Sequence, residues 1–479
     1  MNVNSQPPQP LPLPTPGTVN ATQHPLVAQY SVSVPQAGQA SVELGADTSY
    51  GRSTSSQAVP AGGGTVTFLV AGMRANTTYH MRARVDLGGG NLLLDSDHTF
   101  TTGALPNASF PVVSVSPVSG ATAGGGVELI SGTGTDVGAA VLDTTGAVIW
   151  YYYDPTLPAG SFPFPIAQLP NGNYLINFNV DVREVDLAGN VVRKVTLTQV
   201  DDALAAAGYS IQVASIHHDV IRLSNGHWIL LVNENQDFQD LPGYPGTTTV
   251  SGDDLIDLDT NNQVVWVWRA FDHLDVNRHP YLFPDWTHSN AIVYTPDGNL
   301  LLSMRHQSWV LKIDYANGSG SGDILWRLGP QGDFTLSNTD PAQWFYNQHF
   351  PKLLWTIGSQ FRVAMYDNGD TRPDSTGQPC MLDNTSYSRG IIMNVNETLR
   401  TASVTWEYSP GWYSPWGGSI GVLPNGDVEF DSSAVDGGNS SVIEVTQSSS
   451  PQAVWQMDST NAAFYRAYRI PSMYPGVQW

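Results

Sequence analysis

From about residue 110 onward, one phrase recurs: an apolar residue, an acid or amide, a turn, and an apolar strand that often ends in Trp. Its copies are VLDTTGAVIW (141–150), EVDLAGNVVR (184–193), LIDLDTNNQVVWVW (255–268), KIDYANGSGSGDILW (312–326), MNVNETLRTASVTW (393–406) and IEVTQSSSPQAVW (443–455). A second phrase, in forms such as LPNGNYLI and TPDGNLLL, lies between several copies. Pairs of hairpins make four-stranded sheets, and radial repetition of such sheets leaves only short, protected edges. Six copies therefore predict a six-bladed β-propeller over residues 110–479.

The C-terminal segment FYRAYRIPSMY (464–474) is apolar enough to pair with the first blade. We therefore expect the last strand to close the repeat array. The alternative is an ordinary two-sheet β protein whose turns resemble one another by coincidence.

The region before the repeats differs in composition, because all 14 tryptophans lie at or after Trp150. Residues 24–105 contain short alternating strands such as QYSVSVPQ, TVTFLVAG and TTYHMRARV, which predict a β-sandwich. The piece MRANTTYHMRARV resembles the fibronectin type III pattern, with Tyr79 as its corner tyrosine. Residues 1–23 are rich in proline and are interpreted as a spacer.

The charge balance excludes some classes of partner. A net charge of −22 argues against nucleic acid or an anionic membrane, since both require a basic surface. The sequence has no apolar run of 18 residues, so we expect no membrane span. Its single cysteine, Cys380, allows no intrachain disulfide and no cysteine-built metal site. A homodimer is neither predicted nor excluded.

Polar groups stand at the ends of one hairpin. In DWTHSNAIVYTPDGNLLLSMRHQ (285–307), His288 and Arg305 are almost equally far from the turn at Pro296 and Asp297. Positions equidistant from a turn face each other across an antiparallel ladder. We therefore expect His288 and Arg305 to emerge together at the open end of the hairpin.

Two further hairpins carry histidines at the same end. His217 and His218 precede the turn in SIHHDVIRLSNGHWILLVNEN (215–235), and His349 precedes the turn in NQHFPKLLWTIGSQFRVAMYDNG (347–369). In a propeller these ends converge on the central channel, where the histidines and Arg305 would form a compact cationic site. Asp219 and Asp285 are interpreted as carboxylates that orient the histidines.

Each of these residues also has a structural interpretation. A lone histidine ahead of a strand is more often a hydrogen-bonded structural group, and a lone arginine is more often an ion-pair partner. By the same reasoning His227 is expected at the surface, and His273 and His279 at the rim. The repetition of one placement in three successive blades favours a site.

At these residues the chain resembles the bacterial arylsulfate sulfotransferases, which move a sulfuryl group between phenols without the nucleotide donor PAPS. The resemblance rests on HHDVIRLSNG, DWTHSNAIVYTPDGNLLLSMRHQSWVLKIDY, ILWRLGPQGDF and QHFPKLL, in family order. It implies a six-bladed propeller behind a β-sandwich. It also implies that His349 is the nucleophile, supported by His288, by Arg305 and by His218, with His217 as the alternative.

The chain departs from the family after Gln-His, where an acid is frequent and Phe350 and Pro351 stand here. Some members carry a disulfide, which one cysteine cannot supply.

The resemblance implies an aryl sulfate donor, a phenolic acceptor, a sulfohistidine intermediate with ping-pong kinetics, and no cofactor or metal. It also implies a periplasmic or secreted location. The alternatives are an aryl sulfatase that uses water at the same site, and a propeller that binds glycans or proteins without catalysis. The natural donor and acceptor do not follow from the sequence.

Overall fold

A computed structural model describes residues 10–158, 160–337, 340–382, 385–435 and 438–479. Strands make up 49% of the chain and helices 5%, so the prediction of an all-β protein is confirmed. The helical segments among the described residues are short: Leu197–Ala206, Ala270–His273, Ala316–Gly318, Pro341–Gln343 and Cys380–Leu382. Within this part of the chain, no helix has the length and apolar character to cross a bilayer.

Strands between residues 11 and 101 form two sheets. One sheet consists of Thr18–Ala21, Ala28–Val34 and Gly64–Val70. The other consists of Leu11–Pro12, Gly38–Gly45, Arg52–Ser53, Gln57–Val59, Thr78–Asp86, Leu92–Leu94 and His98–Thr101. Buried and exposed residues alternate along these strands, and the buried faces of both sheets contribute to one apolar cluster.

The first strands of these two sheets lie inside the predicted spacer. Thr18–Ala21 pairs with Ala28–Val34, and Leu11–Pro12 pairs with Leu92–Leu94. The expectation of a spacer over residues 1–23 is therefore wrong for these strands, and residues 1–9 lie outside the described residues. Backbone pairing and the partial burial of Leu13 hold this proline-rich segment in place.

Six further sheets of four or five strands follow, numbered here 1 to 6 in chain order. Sheet 1 contains Val127–Thr133, Ala139–Asp143, Val148–Tyr152 and Ala463–Ile470; sheet 2 contains Ile166–Gln168, Tyr174–Asn177, Asp181–Val185 and Val191–Thr196. Sheet 3 contains Val213–Arg222, Trp228–Leu241, Tyr244–Leu258 and Val264–Arg269; sheet 4 contains Ser289–Tyr294, Leu300–Met304, Trp309–Ile313 and Ile324–Leu328. Sheet 5 contains Thr335–Leu336, His349–Ile357, Gln360–Asp367, Arg389–Asn396 and Thr401–Tyr408; sheet 6 contains Val113–Pro117, Ser419–Val422, Val428–Val435, Asn439–Val445 and Ala453–Ser459.

The turns of the second repeated phrase determine where strands reverse direction. Gly172, Gly226, Gly298 and Gly426 end these turns with φ between 80° and 90°, a conformation that side chains rarely adopt. Each turn joins an edge strand of its sheet to the neighbouring strand. The same sequence signal therefore recurs in sheets 2, 3, 4 and 6.

The last strand completes the first of these sheets. Ala463–Ile470 pairs along its length with Val127–Thr133, which confirms that the C-terminal segment pairs with the first of these sheets. Ser131 and Arg466, joined in this ladder, are 335 residues apart in the chain.

Sheets 3 to 6 contact one another in chain order through one edge strand of each sheet, called here its first strand because it begins the run of consecutive hairpins. Val213–Arg222 contacts Ser289–Tyr294, which in turn contacts His349–Ile357. Ser419–Val422 of sheet 6 contacts both His349–Ile357 and Ala463–Ile470 of sheet 1. The first strands thus bring one end of each sheet close to the corresponding end of the next.

Candidate active site

The predicted histidines lie where the first strands of sheets 3, 4 and 5 begin or are interrupted. His218 interrupts the ladder of Val213–Arg222, His288 directly precedes Ser289–Tyr294, and His349 opens His349–Ile357. His218 and His288 have φ of 54° and 47°, a region that non-glycine residues rarely occupy. Such backbone strain concentrates at functional sites, because the surrounding structure must enforce it.

His218 and His288 lie together, with ring centroids 4.7 Å apart. Nδ1 of His217 lies 2.6 Å from Nδ1 of His218, so one ring donates and the other accepts. Nε2 of His217 faces the other way and lies 3.2 Å from Oδ1 of Asp253. Of the two adjacent histidines, His218 is therefore the one that packs against His288.

His349 is buried, and its tautomer follows from its neighbours. Its Nδ1 lies 2.7 Å from Oδ1 of Asn368, whose amide nitrogen donates to the carbonyls of Ser414 and Gly417. Oδ1 of Asn368 is therefore the acceptor, and the His349 proton is on Nδ1. Nε2 keeps its lone pair and accepts a 3.2 Å hydrogen bond from the Gly417 N–H. Burial, reinforced by the charge of Arg305, holds the pKa of His349 well below its usual value.

Arg305 is 5% exposed and its guanidinium is held from several sides. Nη2 donates to Asp370 Oδ2 at 2.8 Å and to the carbonyl of Pro415 at 2.7 Å. The backbone N–H of Arg305 donates to the carbonyl of His288 at 3.3 Å, as their equal distance from the turn predicts. Nε has no partner within the described part of the chain. Arg305 thus brings a fixed cation beside His288.

Arg466 is a second buried cation of the site, and the sequence analysis missed it. Its Nη1 donates to Asp219 Oδ1 at 3.1 Å and its Nη2 to the carbonyl of Asn290 at 2.5 Å. Its guanidinium lies 4.4 Å from the Phe350 ring, and its charge contributes to the lowered pKa of His349. An arginine within the apolar segment FYRAYRI was a usable signal, because buried charges require a partner or a function.

Asp219 has a different partner from the one expected. It accepts from Arg466 and from the N–H of Ile292 at 2.8 Å, and among the described residues it forms no hydrogen bond or ion pair with a histidine ring. The strand is interrupted at His218, whose φ is 54°, and beyond this interruption the Asp219 side chain faces Arg466. Asp285 contacts a histidine, as predicted: its Oδ2 lies 2.6 Å from Nδ1 of His288.

His306 is another residue that the sequence analysis did not single out. It is fully buried, its Nε2 lies 2.7 Å from Nη1 of Arg305, and its ring stacks on His288 with centroids 4.5 Å apart. The other histidines considered lie elsewhere: His227 pairs with Asp257 at 3.1 Å, and His273 stacks on Trp268. His279 packs against Tyr244 and Phe283.

Asp285, His288 and His306 approach the spacing of a metal site, with their ligand atoms within 4.8 Å of one another. The donor set fits a metal poorly, because both ring nitrogens of His306 are already used. Nε2 accepts from Arg305, so Nδ1 carries the proton that it donates to the Asp285 carbonyl. A metal on Nδ1 would require an imidazolate or the loss of the Arg305 contact.

The composition of the site suits an anion. The positive charges of two guanidinium groups, Arg305 and Arg466, act on the neutral imidazole of His349, whose unprotonated Nε2 accepts a 3.2 Å hydrogen bond from the Gly417 N–H. Fixed cations stabilise negative charge in a buried setting, and a neutral imidazole is a competent nucleophile. This arrangement is chemically suited to binding a small anionic group next to a nucleophilic nitrogen.

The Arylsulfotransferase (ASST) family model matches residues 122–469, and the chain belongs to this family. It is therefore an enzyme, a PAPS-independent aryl sulfotransferase that acts on small aryl substrates. No curated protein matches the chain.

Among solved structures, the chain is similar to a protein of unknown function from Bacteroides caccae. The two are 10% identical with a TM-score of 0.27, over 60% of this chain and 94% of that chain. A streptogramin B lyase is also 10% identical with a TM-score of 0.32, over 73% of this chain and 98% of that chain. Only the family match bears on the activity.

Proposed function

We propose that the enzyme transfers a sulfuryl group from an aryl sulfate to a phenol through a sulfohistidine on Nε2 of His349. The observation that carries this proposal is the hydrogen bond from Nδ1 of His349 to Asn368, which leaves Nε2 unprotonated. In the first step Nε2 of His349 gives up its hydrogen bond from the Gly417 N–H, and its lone pair forms the N–S bond as the S–O bond to the aryl group breaks. In the second step the acceptor oxygen attacks the same sulfur, and His349 is regenerated with its proton still on Nδ1.

Arg305 and Arg466 are the proposed binding groups for the sulfuryl oxygens. By analogy with phosphoryl transfer, the transition state is loose and spreads charge over three equatorial oxygens, so positioning and cations dominate catalysis. Both guanidinium groups have an Nε without a partner among the described residues. Each is paired with only one carboxylate, Asp370 or Asp219, so neither cation is surrounded by acids.

We assign the proton transfers at the aryl oxygen to His288. Oδ2 of Asp285 lies 2.6 Å from Nδ1 of His288 and orients the ring, which can give a proton to a departing phenolate and then accept the proton of the incoming phenol. His218 is less suited to the acid role. Burial, aided by the charges of His288 and His217, holds the pKa of His218 well below its usual value.

The proposed architecture is a six-bladed propeller over residues 110–479, with sheets 1 to 6 as blades. Support comes from the contacts between first strands, which run in chain order and return from sheet 6 to sheet 1. The sheets before residue 102 are the proposed β-sandwich of residues 24–105, now extended to include Thr18–Ala21. Tyr79 supports this assignment, because its hydroxyl accepts the N–H of Arg74, as a corner tyrosine would.

The rival within the same chemistry is an aryl sulfatase, in which water replaces the acceptor. The test is release of 4-nitrophenol from 4-nitrophenyl sulfate with and without added phenol. We expect a transferase to release 4-nitrophenol much faster when phenol is present, and to form phenyl sulfate. Equal rates, with inorganic sulfate as the only sulfur product, would assign the chain as a hydrolase.

The second candidate, a binding propeller without catalysis, draws on the replacement of the acid after Gln-His by Phe350. No turnover with any aryl sulfate, together with saturable binding of a glycan or protein, would establish it. For the location, we propose a periplasmic or secreted enzyme, tested by whether a reporter fused to the complete precursor is exported.

A further inference from the structure

His306 lies between two residues to which catalytic roles were given. Its Nε2 is 2.7 Å from Nη1 of Arg305, and its ring is stacked on His288 at 19°. Its Nδ1 lies 2.5 Å from the carbonyl oxygen of Asp285, and the Tyr281 ring meets it edge-on with centroids 4.9 Å apart. The ring is fully buried, so water cannot replace these partners.

These contacts fix both the tautomer and the charge of His306. A guanidinium only donates, so Nε2 must be the unprotonated nitrogen that accepts from Arg305. Nδ1 then carries the single proton and donates it to the Asp285 carbonyl. A second proton would place a cation against Arg305 and on the face of His288. Burial, with the charges of His288 and Arg305, accordingly lowers the pKa of His306 to about 3.

We propose that His306 is a positioning residue for sulfuryl transfer: an uncharged imidazole that holds the Arg305 guanidinium in place and separates it from His288. This inference rests on the proposed function of Arg305 and His288. A cation at Arg305 and a protonated His288 repel each other in a buried site. A neutral ring between them accepts from one and stacks on the other, so both charges can be present in the same catalytic step.

The charged and titratable groups that face His306 come from several segments. Arg305 precedes it in the chain, and His288 and Asp285 lie on the segment leading into Ser289–Tyr294. Oδ2 of Asp285 is 3.8 Å from Nδ1 of His306, close enough for attraction but beyond hydrogen-bonding distance. Tyr281 is an aromatic neighbour, and burial raises its pKa to about 12, so it is uncharged at neutral pH.

Two substitutions separate positioning from packing. In His306→Gln the amide oxygen can still accept from Arg305 and the amide nitrogen can still donate to the Asp285 carbonyl. His306→Leu removes both functions but fills a similar volume. We expect kcat per mole of folded enzyme to fall roughly 10²-fold in His306→Leu, the scale of a lost transition-state donor. In His306→Gln we expect a fall of less than about fivefold, since the accepting group is retained.

The matched control is His227→Leu, which removes a histidine from an ion pair with Asp257 outside the site. It is expected to lower the melting temperature and leave kcat of the folded fraction unchanged. His306→Leu that retains kcat within twofold would overturn the proposal. So would His306→Gln as impaired as His306→Leu, because the loss would then come from packing.

A second measurement is independent of turnover. In nitrogen-15 spectra of histidine-labelled protein, the signal that disappears in His306→Gln is expected to show a neutral ring protonated on Nδ1. Its shifts are expected to stay constant from pH 8 to pH 5, although a free imidazole titrates near 6.5. Titration of that signal within the window would refute the inference even if the chain transfers sulfuryl groups. A constant signal in a chain that transfers none would instead refute the proposed function of the site.

Discussion

Two arginines on the strand Ala463–Ile470 have opposite surroundings, although they are only three residues apart. Arg466 lies at the histidine site and is paired with one carboxylate, Asp219. Arg469 is surrounded by the carboxylates of Glu128, Glu429 and Glu444, a group named here the Arg469 cluster. Both arginines are buried. Arg466, with one carboxylate, keeps a positive charge that can attract an anionic substrate. Arg469, with three carboxylates, does not, because its charge is more than neutralised.

The two regions also differ in the sign of their pKa shifts. In the histidine site, burial and neighbouring cations keep imidazoles uncharged, as at His349 and His306. In the Arg469 cluster, burial and the nearby Glu128 raise the pKa of Glu429 well above its usual value. Both regions therefore avoid isolated buried charge, but only the histidine site keeps a neutral nucleophile next to cations.

The largest expected effect is at the nucleophile. His349→Ala should abolish sulfuryl transfer, because no other group in the site has a lone pair held in this position. Intact-protein mass spectrometry after quenching with donor alone should detect one sulfuryl group on the parent enzyme and none on the variant. A variant that still turns over, with the sulfuryl group on another residue, would show that His349 is not the nucleophile.

Arg469→Met tests the other side of the comparison. It leaves three buried carboxyl groups without their cation, and breaking a buried ion pair from one side typically costs about 3–5 kcal/mol of unfolding free energy. The loss is measured by denaturant unfolding, with transfer activity normalised to the folded fraction. We expect the transfer activity of the folded fraction to be unchanged. A large fall in this activity would show that the Arg469 cluster, like the histidine site, is needed for catalysis.

Arg305→Lys retains the charge and loses the planar guanidinium held by Asp370 and His306. By analogy with a lost oxyanion donor, transition-state stabilisation should fall by about 2–4 kcal/mol. The measurement is kcat/KM with 4-nitrophenyl sulfate, accompanied by thermal melting. Wild-type kcat/KM in a stable variant would argue that charge alone suffices at this position.

Arg466→Met removes the second cation, but it also leaves Asp219 buried without a partner. The double variant Arg466→Met with Asp219→Asn separates these effects by removing both charges. We expect the double variant to recover much of the melting temperature while kcat stays lowered by roughly tenfold, on the scale of one weakened charge contact. Recovery of both quantities would assign Arg466 a structural role like that of Arg469.

The smallest effect is the dependence of stability on pH. The pKa of His306 in the folded protein lies below that of the unfolded chain, so its contribution is complete above pH about 6.5 and is lost on acidification. His306→Gln should make the fall in unfolding free energy below pH 6.5 shallower by roughly 1.4 kcal/mol per pH unit. Glu429 has the opposite sign, because its raised pKa adds stability at low pH that is lost as pH rises. An unchanged slope in His306→Gln would contradict the assignment of a neutral ring.

Much of the site could be anticipated where the contacts are local. The pairing of His288 with Arg305 followed from their equal distance to one turn. Such predictions succeed because a tight turn fixes the register of the two strands that it joins. The all-β class followed likewise from the repeated phrases, and the last strand was correctly expected to pair with the first sheet.

Contacts between distant segments could not be anticipated in this way. Asp370 and Arg466 reach the site from other sheets, so no spacing in the sequence links them to His288. Asp219 was assigned to the histidines because it follows His218, but the strand is interrupted at His218 and the Asp219 carboxylate pairs with Arg466 instead. His306 was not predicted, because the sequence does not show whether a histidine is uncharged and hydrogen-bonded through both ring nitrogens.

The pairing of Ala463–Ile470 with Val127–Thr133 has a consequence for the order in which the enzyme matures. Synthesis proceeds from the N-terminus, so Arg466 emerges 335 residues after Ser131, its partner in this ladder. Until then the first sheet has an open edge and the site lacks one of its cations. A growing chain can therefore fold most of its hairpins yet cannot bind its donor as the finished enzyme does. Activity begins only after Ala463–Ile470 has emerged and paired with the first sheet.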